Sequence, residues 1–217
     1  MPPDQLTADE QSAVLAERYS MRAEAYDALW SPAIRPAGER LLARLPLAAA
    51  KEVIDVGTGA GALLPLIQNA APQAIVLGVD RSEGMLRIAK EKHSGPLALM
   101  DAQRLELPAG KFDVAVVAFV LFHLPLPERC LAEVHRVLRP GGMVGTVTWA
   151  TENPYPANSI WDDELKAAGA AVQELPAVDN RGCGDSADKV AGLLAQAGFV
   201  SSETWIEAIE HRWRPED

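Results

Sequence analysis

The chain has 217 residues, 48% of them hydrophobic and 23% charged, the balance of one ordinary globular domain. Its 30 acidic and 20 basic residues give a net charge of −10, which argues against nucleic acid or an anionic membrane surface as a partner. Two distant cysteines, Cys130 and Cys183, offer no disulfide framework, and the longest apolar run, 114–121, is too short to span a bilayer.

Residues 1–46 read as a helical cap. Their first residues carry no signal-peptide pattern, so a cytoplasmic location is the expectation. Asp9 is placed to cap a helix in which Val14, Tyr19, Tyr26 and Leu29 recur at helical spacing. Ser31-Pro32 is expected to break it, with a second helix over 35–44 that Pro46 closes.

From residue 47 to 150 the pattern changes to strands alternating with helices. Residues 52–56 are a β-branched run that leads into glycines, and 75–80 are a second buried run that ends in Asp80. The helix between them begins near Ala62, where Pro65 falls in the first turn and is tolerated. Ser82 is placed to cap the helix of Met85, Leu86 and Ala89. Strands follow at 97–100 and 112–119, then a helix over 128–138 and a fifth strand over 143–149. This alternation predicts a doubly wound α/β domain, with a mostly parallel sheet and helices on both faces. Residues 151–185 form an insert with a helical patch around 161–168. Residues 186–217 supply a helix ended by Gly198 and a long sixth strand over 199–209 that completes the sheet.

Ligands of such sheets bind at the carboxyl ends of the strands, near the topological switch point. Here the first strand ends in Asp55-Val56-Gly57-Thr58-Gly59-Ala60-Gly61. Glycines allow tight turns and close approach of a ligand, and the helix behind them offers free amides to an anionic group. Alone, the loop also fits a tolerant dinucleotide fingerprint, which leaves a nicotinamide-dependent oxidoreductase open. The carboxylates separate the two readings. Asp55, Asp80 and Asp101 close three successive strands on one rim. They suit a ligand with an ammonium group, a ribose diol and an adenine amino group, and they would repel a pyrophosphate.

With these motifs the chain resembles the class I S-adenosylmethionine-dependent methyltransferases, particularly the ubiquinone/menaquinone methyltransferase-like branch. The resemblance covers about 19–206. It is carried by Val53-Ile54-Asp55-Val56-Gly57-Thr58-Gly59-Ala60-Gly61, by Gly78-Val79-Asp80-Arg81-Ser82-Glu83-Gly84-Met85-Leu86 and by Met100-Asp101-Ala102-Gln103 with Leu107-Pro108. Phe112-Asp113-Val114 and Arg136-Val137-Leu138-Arg139-Pro140-Gly141-Gly142 complete the set. The resemblance implies a Rossmann-like methyltransferase fold and S-adenosylmethionine as cofactor. Gly57, Thr58, Gly59 and Gly61 would line its methionine moiety, with Asp55 beneath the loop. Asp80 would bind the ribose hydroxyls, and Arg81 and Met85 would pack along the adenine. Asp101, Ala102 and Gln103 would address the adenine edge, and Ala118 and Phe119 the reactive end. A holder of the cofactor without turnover remains a second reading.

His123 resembles a histidine found after the fourth strand in that family. It is the catalytic candidate, as a general base, against a plain structural role bonding a backbone carbonyl. Tyr19, Tyr26, Trp30 and Trp161 are candidates for the substrate pocket, with Tyr155 nearby; ordinary core packing is the alternative for the two tyrosines. No metal site is expected: His93, His135 and His211 are scattered, and Trp161-Asp162-Asp163-Glu164 reads as a solvated first turn. The expected partner is a small, partly apolar methyl acceptor. The family's seventh strand is expected to be missing or substituted here, because little chain follows residue 209. An open fifth-strand edge would then invite a homo-oligomer.

Overall fold

The computed structural model describes residues 6–151, 156–169, 178 and 180–211. Helices α1 (Ala8–Met21) and α2 (Ala23–Leu42) form the cap. The alternating part runs β1 (Glu52–Val56), α3 (Leu64–Ala70), β2 (Ile75–Asp80), α4 (Glu83–Lys92), β3 (Leu97–Leu99), β4 (Phe112–Ala118), α5 (Pro127–Val137) and β5 (Leu138–Val147). Helices α6 (Pro156–Ala167) and α7 (Ala187–Gln196) follow. None of the helices described is long and apolar enough to cross a membrane.

The sheet order is β3-β2-β1-β4-β5, with every neighbouring pair parallel. Side chains alternate across it, as the period of a strand requires. Val53, Val76, Val114 and Val116 face Leu41 of α2 and Leu64 and Ile67 of α3. Ile54, Val56, Leu77, Val79, Ala115 and Val117 face Leu131, Val134 and Val137 of α5 and Leu194 of α7. Both faces are therefore dry, which is why these strands read as near-continuous apolar runs. The switch point falls between β1 and β4, so the loops after those two strands open a crevice at the carboxyl rim.

The cap departs from its expected form. Thr7, not Asp9, is the N-cap of α1: it accepts from the Glu10 amide while the Glu10 carboxylate accepts from the Thr7 amide. The helices part at Arg22 (φ −117°, ψ 17°), not at Ser31-Pro32. Pro32 and Pro36 both lie inside α2. Each deprives one carbonyl a turn earlier of its amide donor. Buried Ser31, Ala33, Gly38, Leu41 and Leu42 hold the helix together through packing instead.

Three further expectations are corrected. Residues 199–211 contain no strand. Their sequence, from Ser201 to Glu210, lacks a clean apolar alternation, and two arginines, one in the last turn of α2 and one just past its end, hold the segment. Arg40 donates to the Ala208 carbonyl at 3.0 Å, and the Arg44 guanidinium sits 4.2 Å from the Trp205 ring centroid. The sheet therefore has five strands among the described residues, and neither a sixth nor a seventh; residues 212–217 lie outside them. β5 begins at Leu138 and not at Met143, because Arg139–Gly142 bulge between the pairs Phe112–Leu138 and Val114–Met143. α6 begins at Pro156, so Asp163 and Glu164 fall beyond its first turn, are exposed, and do not cap it.

The end of α1 locks against the start of α4. Ser20 Oγ lies 2.8 Å from Ser82 Oγ, and the Gly84 amide donates to Ser20 Oγ at 3.3 Å. A Cβ at Gly84 would stand 2.4 Å from the Ser20 carbonyl oxygen and 2.6 Å from its Cα. Backbone cannot yield as a side-chain tip can. Gly84→Ala is expected to destabilise the protein by about 1–3 kcal/mol, the usual range for overpacking, as read from the urea midpoint. An unchanged midpoint would mean that the cap is not held by this contact.

Candidate functional site

One cavity lies over the carboxyl ends of β1, β2 and β4. The loop after β1 forms its floor with Asp55, Gly57, Thr58, Gly59 and Ala60, while Asp80, Arg81, Ser82 and Met85 come from the β2–α4 turn. Met100, Asp101 and Ala102 follow β3, and Ala118, Phe119, Val120, His123 and Leu124 end and follow β4. The cap closes it with Ser12, Leu15, Ala16 and Tyr19 of α1 and Tyr26, Ser31 and Ile34 of α2.

The loop is built around one buried and one half-buried carboxylate. Asp55 is only 2% exposed and accepts from Thr58 Oγ1 at 2.6 Å. Asp80 accepts the Gly59 amide on one oxygen and the Ser82 amide on the other, both at 2.8 Å. It thereby ties the β1 loop to the N-terminus of α4. The three loop glycines have positive φ, at 71°, 56° and 76°, but their roles differ. A Cβ at Gly57 would strike Val120 at 2.4 Å, and one at Gly61 would strike the Ala89 backbone at 2.9 Å. These two are required by packing. A Cβ at Gly59 would meet nothing within 4 Å, so this glycine faces the cavity itself.

The far rim is internally paired. Arg81 bonds the Asp101 carboxylate, whose other oxygen accepts the Gln103 amide at 2.8 Å. The Gln103 side chain donates to Ser12 Oγ at 3.1 Å and to Asp101 at 3.3 Å and accepts from the Leu126 amide at 3.0 Å. Across the cavity, Tyr19 Oη is 2.9 Å from His123 Nε2, and the Tyr19 and Tyr26 rings pack edge-on at 5.4 Å. Phe119 has φ 58°, a strained value for a bulky residue, and its ring lies 4.8 Å from that of Trp149.

Of the residues expected from sequence, Gly61 and Gln103 lie outside the cavity lining, and Trp30 is 46% exposed and outside it as well. The Trp161 side chain and Tyr155 fall outside the described residues. The others converge. Sequence reasoning missed Ser12, Leu15, Ala16, Ser31 and Ile34. The signal for the first three was present, since residues 12, 15, 16 and 19 share one face of a helix. Ser31 was hidden because Ser-Pro reads as a helix break.

Burial dominates the titration of the site. It pushes the Asp55 carboxyl up to about 7, against the Thr58 hydrogen bond that lowers it, and raises Asp80 as well. It pulls His123 down to about 4 and pushes Tyr26 up to about 12 and Tyr19 higher still. The tyrosine–histidine pair is therefore neutral at pH 7. Folded Asp55 keeps a proton that the unfolded chain releases between about pH 4 and 7, so its contribution to stability is lost as pH rises through that window. Asp55→Asn is expected to gain stability over the native chain across the same window, by on the order of a few kcal/mol, and then level off. Urea melts at pH 5 and 8 check it; an equal effect at both would contradict the assignment.

Known proteins match this arrangement. Residues 54–145 match the methyltransferase domain family Methyltransf_11. A ubiquinone/menaquinone biosynthesis C-methyltransferase (UbiE) of Ralstonia pickettii is 35% identical over 141 residues, 62% of this chain and 55% of that protein. The chain spans about half the length of the curated relatives it matches. A SAM-dependent methyltransferase from Thermotoga maritima superposes with TM-score 0.62 at 21% identity, covering 85% of this chain and 79% of the other. A phosphoethanolamine N-methyltransferase of Haemonchus contortus, solved with phosphoethanolamine and S-adenosylhomocysteine, gives TM-score 0.56 at 18% identity over 68% and 34% of the two chains. With its glycine loop and rim aspartates on this sheet, the chain matches the methyltransferase domain over residues 54–145 and resembles the class I S-adenosylmethionine-dependent methyltransferases, in particular their ubiquinone/menaquinone branch.

Proposed function

We propose that this chain transfers a methyl group from S-adenosylmethionine to a small, partly apolar acceptor by direct displacement. One observation carries the reading: the open face of Gly59 lies beside the Asp80 carboxylate, in a cavity that aromatic residues of the cap close. The residues present fit the cofactor. Each Asp80 oxygen has given one acceptor site to a backbone amide and retains another, which suits a ribose diol. Asp55 and Asp80 favour a ligand that carries positive charge. A pyrophosphate finds no unpaired cation here, because Arg81, the single arginine of the lining, is committed to Asp101. This weighs against the nicotinamide alternative.

S-adenosylmethionine supplies a methyl on sulfonium, which is electrophilic without help from the protein. The chain's own work is to orient the reactants and exclude water, and positioning can supply roughly 7–11 kcal/mol in the best cases. Tyr19, Tyr26, Phe119 and Leu15 give the cavity apolar walls for that purpose. In this reading His123 fixes the Tyr19 hydroxyl. Its depressed basicity leaves it a weak general base at pH 7. The acceptor is a neutral molecule or an amine and not a phosphate ester.

Calorimetry tests the reading. S-adenosylhomocysteine is expected to bind and NAD is not. Gly59→Val should abolish binding, because its side chain enters the cavity and a β-branched residue resists the loop's φ of 56°; the circular dichroism spectrum should stay intact, since the strain is confined to the loop and no protein atom lies within 4 Å of the new Cβ. Asp80→Ala should weaken binding by about 1–3 kcal/mol. It should also lower the melting temperature, since the Gly59 and Ser82 amides lose their acceptor. NAD binding in place of S-adenosylhomocysteine would overturn the assignment.

A further inference from the structure

The cavity has a direction. Strand order places Asp101, just beyond β3, Asp80, the last residue of β2, and Asp55, near the end of β1, in sequence along the rim. On the methyltransferase reading above, a cofactor laid with its adenine by Asp101 and its ribose by Asp80 puts its amino-acid end beyond Asp55. That end carries an ammonium and a carboxylate. Asp55 suits the ammonium. The carboxylate needs donors, and in the glycine loop every amide from Gly57 to Gly61 except that of Ala60 is already committed. The amides of Gly57 and Thr58 already donate to the Val79 carbonyl, that of Gly61 to the Thr58 carbonyl, and that of Gly59 to Asp80. The one arginine of the lining is spent at the opposite end, on Asp101.

Ser31 is the side chain left over. It lies on α2 in the wall of the cavity, is 7% exposed, and its hydroxyl has no hydrogen-bond partner among the described residues. A buried hydroxyl without a partner is costly, and a helical serine ordinarily bonds a carbonyl one turn back. Its place along the cavity is set by the packing of α2 on the start of α3. A Cβ at Gly38, two turns on, would stand 2.5 Å from the Leu63 side chain, and Ala62 and Leu63 line the cavity with Ser31 and Ile34. This is the stretch that follows the β1 loop, at the Asp55 end.

We infer that the Ser31 hydroxyl donates a hydrogen bond to the carboxylate of the cofactor's amino-acid end, opposite the Asp55 carboxylate. Ser31 is thus a cofactor-binding residue supplied by the cap, and it couples closure of α2 to recognition of the amino-acid end.

Two ligands separate this role from general packing. S-adenosylhomocysteine carries the amino-acid end, and 5′-methylthioadenosine lacks it. Calorimetry is expected to show S-adenosylhomocysteine binding to Ser31→Ala about tenfold or more weaker than to the native chain, the range for a hydrogen bond to a charged group. 5′-Methylthioadenosine should bind both chains within twofold. The ligand-free variant should melt at the native temperature or above it, because a buried polar group without a partner has been removed. Equal losses for both ligands, or none for S-adenosylhomocysteine, would overturn the inference. A native chain that binds neither ligand would overturn the methyltransferase reading itself.

Discussion

The carboxylate of Asp80 is the fixed point of this molecule. One oxygen holds the Gly59 amide and the other the Ser82 amide, so one side chain sets both the glycine loop and the entry to α4. The positive φ of the loop glycines is sustained by this bond and by the amides of Gly57 and Thr58 on the Val79 carbonyl. A residue that suits ligand binding is here also structural. Burial raises its pKa while the amide bonds oppose that rise, so the site holds a carboxylate in a place that penalises its charge. A cationic ligand relieves that penalty.

The cap is registered on the α/β core mainly by shape. Arg87–Glu24 and Lys92–Asp27 pair α4 with α2. Arg87 and Glu24 are largely exposed, so that pair contributes little stability in water. The close approach of Ser20 to Gly84 and the Tyr19–His123 bond are more restrictive, because each admits one position of α1 over the core. The insert reaches the same region from the other side. The Asn180 side chain donates to the carbonyls of Leu124 and Pro125, and its amide to that of Phe122. The loop that carries His123 is thus gripped from both sides.

The α/β core was legible in the sequence because its signals are local. β1 and β2 follow from β-branched runs, and the Ser82 cap from a polar residue before an apolar helix. The cap was less legible. Propensity places a break at Ser31-Pro32, but tertiary burial of α2 overrides the lost hydrogen bonds, and the residue hidden by that reading lines the cavity. Segment 199–209 carries β-favouring residues, yet a strand needs a partner edge, and Arg40 of α2 and Arg44 just past it hold this one. Family motifs did not separate scaffold from site. Asp113 accepts the amides of Lys51 and Glu52 and pairs with Arg139, and Arg136 clamps the carbonyls of Leu105 and Leu107. Both belong to the motif set and neither lines the cavity.

The charge distribution of the cavity bears on what can serve its amino-acid end. Asp55 is buried and Asp80 half-buried, neither is paired with a cation, and the lining's arginine, which follows β2, is paired with Asp101 beyond β3. An arginine or lysine at the Asp55 end would bind a carboxylate strongly. It would also pair with Asp55, draw its pKa down, and compete with a ligand's ammonium for the same oxygens. A neutral hydroxyl avoids that competition. It can donate to a carboxylate and leave Asp55 for the cation, so a zwitterion is recognised at both ends with no added protein charge. Selectivity then rests on the negative charge of the cavity. An anionic group without an attached cation meets Asp55, Asp80 and one hydroxyl, which disfavours phosphate-bearing ligands at this end.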